Sequence, residues 1–106
     1  MKTGIRIFHM DEVMLQIAES AKDYDIEKLI LFGSRARGDH NEKSDYDIAI
    51  FSSELDIYKE TLLRLGIEDV KTLKKIDVVF IDEDTEKELL ANIKEEGVIL
   101  YEKTSN

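Results

Sequence analysis

Lys28-Leu29-Ile30-Leu31-Phe32-Gly33-Ser34-Arg35-Ala36-Arg37-Gly38 is followed, after a polar spacer, by Ser44-Asp45-Tyr46-Asp47-Ile48-Ala49-Ile50-Phe51. Residues 28–32 are a short apolar run closed by glycine, the mark of a buried strand. Residues 33–38 turn out of that strand and open a helix, with Ser34 as a candidate N-cap. Residues 39–44 are polar and read as a loop. Residues 45–51 form a second strand, polar at its start and apolar at its end, so one end emerges from the core.

Working outward, Met10, Val13, Met14, Ile17, Ala18 and Ala21 recur at helical spacing and predict an amphipathic helix over about residues 10–22. Residues 53–65 read as a helix ending at Gly66. Lys75-Ile76-Asp77-Val78-Val79-Phe80-Ile81 is a third strand. Asp82-Glu83-Asp84 continues as a loop whose acids favour the positive end of the next helix. Thr85 and Glu88 have capping-box spacing ahead of Leu89, Leu90 and Ile93. Gly97 stands where a glycine stop belongs, and residues 98–101 form a fourth, short strand. The order predicts an α/β (α+β) domain: one mixed sheet of about four strands, with helices packed mainly on one face. Strand order does not follow from it. With 106 residues and no repeat or linker, residues 1–106 are expected to be one domain.

Charge narrows the function. The formal net charge is −9. A generic duplex-DNA binder neutralises phosphates with Lys and Arg, so that class is disfavoured. The absence of cysteine excludes a disulfide scaffold, a thiolate metal site and a cysteine nucleophile. Residues 1–13 contain no long apolar run, so neither a signal peptide nor a membrane span is expected, and the protein should be cytoplasmic. Charged residues at 37% with few amide side chains lie in the direction of heat-adapted proteins.

Three acids sit where acids are costly. Asp45 and Asp47 are two apart on a strand and project from one face. Asp77 interrupts an otherwise apolar strand, so it is either exposed or partnered. Neighbouring carboxylates oppose each other's ionisation unless a cation lies between them. Mg²⁺, a hard ion served by one or two carboxylates and by phosphate oxygens, is the natural guest. A third carboxylate on an adjacent strand would complete a two-metal site for in-line phosphoryl displacement. The Gly33-Ser34 turn leaves backbone N–H groups free for an anion, Ser34 adds a hydroxyl, and Arg35 and Arg37 add positive charge. Each feature alone has a plainer reading: a polar strand start, a solvated strand face, a tight turn. A nucleoside triphosphate needs the cradle and the carboxylates together in one pocket.

The series Gly33-Ser34-Arg35-Ala36-Arg37-Gly38, Ser44-Asp45-Tyr46-Asp47-Ile48 and Asp77 closely resembles the minimal nucleotidyltransferases of the DNA polymerase β superfamily. The likeness spans about residues 29–80, and residues 93–102 resemble the usual close of these proteins. It implies the nucleotidyltransferase fold. It implies that Gly33 and Ser34 hold the β- and γ-phosphates of ATP, with Arg37 and Arg35 near the triphosphate. It implies that Asp45 and Asp47 bind two Mg²⁺ ions, and that Asp77 binds the catalytic metal and helps to take the acceptor's proton. Members of this kind are commonly paired with a HEPN-domain protein as antitoxin and toxin, which implies AMP transfer from ATP to a tyrosine of that partner. A homodimer or a hetero-complex suits so small a core. Two other readings stay open: a non-catalytic module that binds nucleotide or partner and neutralises a HEPN protein by contact, and a transferase for a small-molecule acceptor. Among the remaining residues, His40 and the pair Lys74 and Lys75 could approach nucleotide or simply be solvated. His9 has no companion, and Tyr46 should point away from the acids into the core.

Overall fold

The computed structural model describes residues 9–103, so the reading of the first eight residues as free of a leader lies outside it. The described chain runs α1 (Glu12–Ala21), β1 (Lys28–Phe32), α2 (Ser34–Arg37), β2 (Tyr46–Phe51), α3 (Ile57–Glu68), β3 (Ile76–Ile81), α4 (Lys87–Glu96) and β4 (Val98–Glu102). The sheet order is β3-β2-β1-β4. β1 is antiparallel to β2 and to β4, whereas β2 and β3 run parallel. A parallel neighbour requires a crossover, and α3 supplies it. No helix among the described residues is long and apolar enough to cross a membrane.

Alternation along the strands decides which face each residue serves. Leu29, Leu31, Tyr46, Ile48 and Ile50 join Met14, Ile17 and Ala21 of α1 and Leu63 and Ile67 of α3 in the larger core. Ile30 and Ala49 face the other way, onto Ile93 of α4, with Phe32, Phe51 and Leu89 around them. Two helices therefore cover one face and α4 alone lies on the other, which is the mixed sheet with a main helical layer that the sequence predicts.

Several element boundaries differ from the sequence reading. The second long helix begins at Ile57 under an Asp56 cap and runs through Gly66 to Glu68. It continues because Ile67, four residues after Leu63, still reaches the core, and that burial outweighs the modest helical cost of one glycine. The capping box at Thr85 is not formed: Thr85 Oγ1 instead accepts from the Asp82 N–H at 2.9 Å, closing a turn, and α4 starts later behind Glu86. Gly33, not Ser34, is the N-cap of α2. Gly97 does end α4, but in an extended conformation. Glycine is required there by space, since a Cβ would run into the Ile93 carbonyl and the Ile30 side chain.

One acid fastens α1 to the sheet. Asp11 caps α1 by accepting from the Met14 N–H at 2.8 Å, while its other oxygen accepts from the Tyr46 hydroxyl at 2.7 Å. Burial and the Asp11 carboxylate push the Tyr46 hydroxyl up to about 12, against a smaller opposing pull from Arg35. Replacing Asp11 by Ala removes a cap and orphans a buried hydroxyl together, so Asp11→Ala should lose about 1–3 kcal/mol in urea unfolding. Tyr46→Phe, which removes only the second bond, should lose about 0.5–1.5 kcal/mol.

Candidate active site

The three acids are brought together by strand register. Asp47 on β2 is the direct partner of Asp77 on β3, and paired residues on parallel strands project from the same face. That face is the one carrying Ala49 and Phe51, one and two steps further along β2. Asp45 lies two residues before Asp47, at the mouth of the strand. On the other side of β2, Asp47 pairs with Phe32, the last residue of β1. The chain then turns at Gly33, which holds φ at 78°, a region suited to glycine. A Cβ on Gly33 would collide with the Asp47 carboxylate. The glycine turn therefore crosses directly over the acid.

α2 is a four-residue helix with Gly33 at its N-cap and Gly38 closing it in the left-handed region at φ 89°. The Ala36 and Arg37 N–H groups donate to the Gly33 carbonyl at 3.1 and 3.0 Å. The earlier N–H groups of such a turn have no intrahelical acceptor and are available to an anion.

The electrostatics are those of crowded acids. The Asp47 carboxyl is held above the usual carboxylate range, first by burial, then by the charges of Asp77 and Asp45, with Arg37 and Lys75 pulling the other way. Lys75 Nζ lies 3.4 Å from Asp77 Oδ1 and gives that acid a local counter-charge. Among the described residues no three His, Cys, Asp or Glu side chains converge into a ready-made metal cage. The donors present are nevertheless all carboxylate oxygens, with Asp47 beside Asp77 and Asp45 near enough to act on Asp47. Mg²⁺ asks for little more, because it keeps waters and takes phosphate oxygens for the rest of its shell. The donor set fits that ion.

The two arginines of the turn go to different places. Arg37 is half exposed; its Nε donates to Asp39 at 3.0 Å and its NH1 to Glu96, at the end of α4, at 3.1 Å. An arriving phosphate would compete with those acids. Arg35 is only 7% exposed. It stacks on the Tyr46 ring at 4.1 Å and donates from Nε to the Ser44 carbonyl at 3.0 Å. It is brought to the Tyr46 side of β2, not to the carboxylates, and joins the turn to the residue preceding Asp45. Tyr46 packs in the larger core, away from the acids, His9 and His40 are exposed, and Lys74 lines the same groove as His40. Glu96 and Asp11 were missed from sequence. Glu96 stands 59 residues from Arg37, and no local pattern signals so distant a pair.

Residues 15–106 match the family model described as Polymerase beta, Nucleotidyltransferase. The chain belongs to that family. This nucleotidyltransferase is 36% identical over 81 residues to a Methanocaldococcus jannaschii protein named as a candidate protein adenylyltransferase, covering 72% of this chain and 79% of that one. A second protein of that organism with the same description is 49% identical over 35 residues, or 33% of this chain and 35% of the other. Among solved structures, a toxin–antitoxin complex with AMP-PNP aligns with TM-score 0.69 and 21% identity, over 86% of this chain and 74% of that one. A double Asp→Glu variant of the MntA–HpeT toxin–antitoxin aligns with TM-score 0.67 and 18% identity over the same shares. At such identities the likeness is one of fold, and it bears out the nucleotidyltransferase fold expected from the motif.

A raised carboxyl pKa means that the folded nucleotidyltransferase binds a proton more readily than the unfolded chain. Its stability therefore falls as pH rises from the ordinary carboxylate range through the raised value. Asp47→Asn should accordingly raise the metal-free melting temperature at pH 7. The gain should vanish at a pH low enough to protonate Asp47 in both states. Gly33→Ala should do the reverse, lowering stability by about 1–3 kcal/mol through a strained φ and a displaced carboxylate.

Proposed function

We propose that this nucleotidyltransferase, as a single domain over residues 1–106, transfers AMP from ATP to a tyrosine hydroxyl of a HEPN-domain toxin and thereby acts as its antitoxin. The observation that carries the chemistry is the Asp47–Asp77 register pair, with Asp47 directly against Gly33. It sets a hard-cation site against an anion cradle, which is the pairing a metal-bound triphosphate requires. The adenylyltransferase description of the M. jannaschii relatives and the toxin–antitoxin setting of the structural neighbours support the choice of nucleotide and acceptor.

In this reading Gly33 and Ser34 receive the β- and γ-phosphates through backbone N–H groups and the Ser34 hydroxyl. Arg37 swings from Asp39 and Glu96 to the triphosphate. Asp45, Asp47 and Asp77 would hold Mg²⁺, two ions in the full site, whose chemistry is to neutralise the phosphate charge and favour the leaving pyrophosphate. Asp77 accepts the proton of the acceptor hydroxyl. The acceptor oxygen bonds to the α-phosphorus, the bond from that phosphorus to the bridging oxygen of the β-phosphate breaks, and pyrophosphate leaves. Most of the rate comes from alignment and charge placement by these fixed groups.

The decisive experiment pairs calorimetric titration of ATP, with and without Mg²⁺, with transfer of α-labelled AMP to the HEPN protein. The wild type should bind ATP only with Mg²⁺ and label the partner on tyrosine. In the Asp45→Asn/Asp47→Asn variant transfer should fall at least about 100-fold, equivalent to about 2.7 kcal/mol, and neutralisation of the toxin should be lost with it. A variant that still neutralises the toxin would show that contact suffices and would sink the catalytic reading. Label appearing on a small molecule instead of the partner would sink the acceptor assignment.

A further inference from the structure

On the Tyr46 side of β2 lies an open groove of about 650 Å³, lined by Arg35, His40, Asn41, Glu42, Tyr46 and Lys74. Its wall holds a buried cation. Arg35 is 93% covered yet, among the described residues, enters no ion pair, and its one hydrogen bond there is from Nε to Ser44. A guanidinium carries five N–H donors, and a buried one lacking a carboxylate partner is costly. Arg35 lines the groove together with Lys74 and His40. This is a local basic site on a chain of net charge −9.

We propose that this groove binds a carboxylate side chain of an acidic peptide segment, carried by the protein acceptor. The acceptor is taken from the preceding reading; the groove chemistry stands apart from it. Arg recognises carboxylate through paired parallel N–H donors. The volume far exceeds one carboxylate and falls in the range of ligand sites, roughly 300–1,000 Å³. Asn41 and Glu42 on the wall offer donors and an acceptor to a peptide backbone. The loop forming the groove runs straight into Asp45, so a peptide held there lies next to the reacting end of the sheet.

The test is fluorescence anisotropy with a labelled short peptide carrying several Glu residues around one Tyr, beside its Gln counterpart. The acidic peptide should bind at least about tenfold more tightly than the Gln form, and Lys74→Glu should weaken it by at least about tenfold. Arg35→Met should do the same where its melting curve shows it folded; Lys74→Glu, at a half-buried position in the loop before β3, carries the test if it does not. Asp45→Asn/Asp47→Asn should bind the peptide as the wild type does, and ATP with Mg²⁺ should not displace it. Equal binding of the two peptides, indifference to Lys74→Glu, displacement by ATP with Mg²⁺, or tighter binding of an oligonucleotide would each overturn the proposal. Peptide binding without AMP transfer to protein would overturn only the preceding reading, so the two failures are separable.

Discussion

The parallel register of β2 and β3 sets Asp47 beside Asp77, and much else in the structure answers to that pairing. Two carboxylates at adjacent positions repel, and Asp47 is partly withdrawn from water as well, so the arrangement works against the fold rather than for it. It persists because the strands are pinned by apolar burial. Ile48 and Ile50 on β2 are fully covered, and Ile76 and Val78 on β3 nearly so. A slip of one residue in β2 would turn these side chains out and the acids in. The core therefore fixes the site, and the crowding of its acids is held in place by apolar burial.

The same constraint explains the glycine. The chain leaves β1 at Phe32, opposite Asp47, and must turn at once across the acid it has just passed. Only a residue without a Cβ can make that turn. The close approach puts the start of a short helix directly against Asp47.

Much of this was legible in the sequence because it is local. Strand alternation places Asp45 and Asp47 on one face and Tyr46 on the other, and Gly33 announces a turn. What was not legible depends on partners distant in the chain. That Asp77 sits beside Asp47, rather than elsewhere in the sheet, requires the strand order, which periodicity does not contain. Gly66 read as a stop because glycine usually ends helices, but Ile67 still had a core to reach. Thr85 and Glu88 had the right spacing for a capping box, yet Thr85 closes a turn with Asp82 instead. Arg35 and Arg37 look equivalent on paper. Two residues apart on a four-residue helix, they are rotated by about 200°, enough to send one onto Tyr46 and leave the other in solvent with Glu96.

That rotation divides charge across the sheet. Asp45, Asp47 and Asp77 gather on the α4 face, while Arg35, with His40 and Lys74 near it, gathers on the Tyr46 side. Strand period two enforces the division, since Tyr46 separates two acids that both face the other way. Arg35 then links the halves. Its stack on Tyr46 and its bond to the Ser44 carbonyl join the glycine turn to the residue just before Asp45, and the Tyr46 hydroxyl passes the connection on to Asp11 and α1. The cradle, the first acid and the main helical layer are thereby tied through one buried cation. Ser44 is one peptide bond from Asp45, so the bond that anchors Arg35 also holds the chain where it enters the carboxylates.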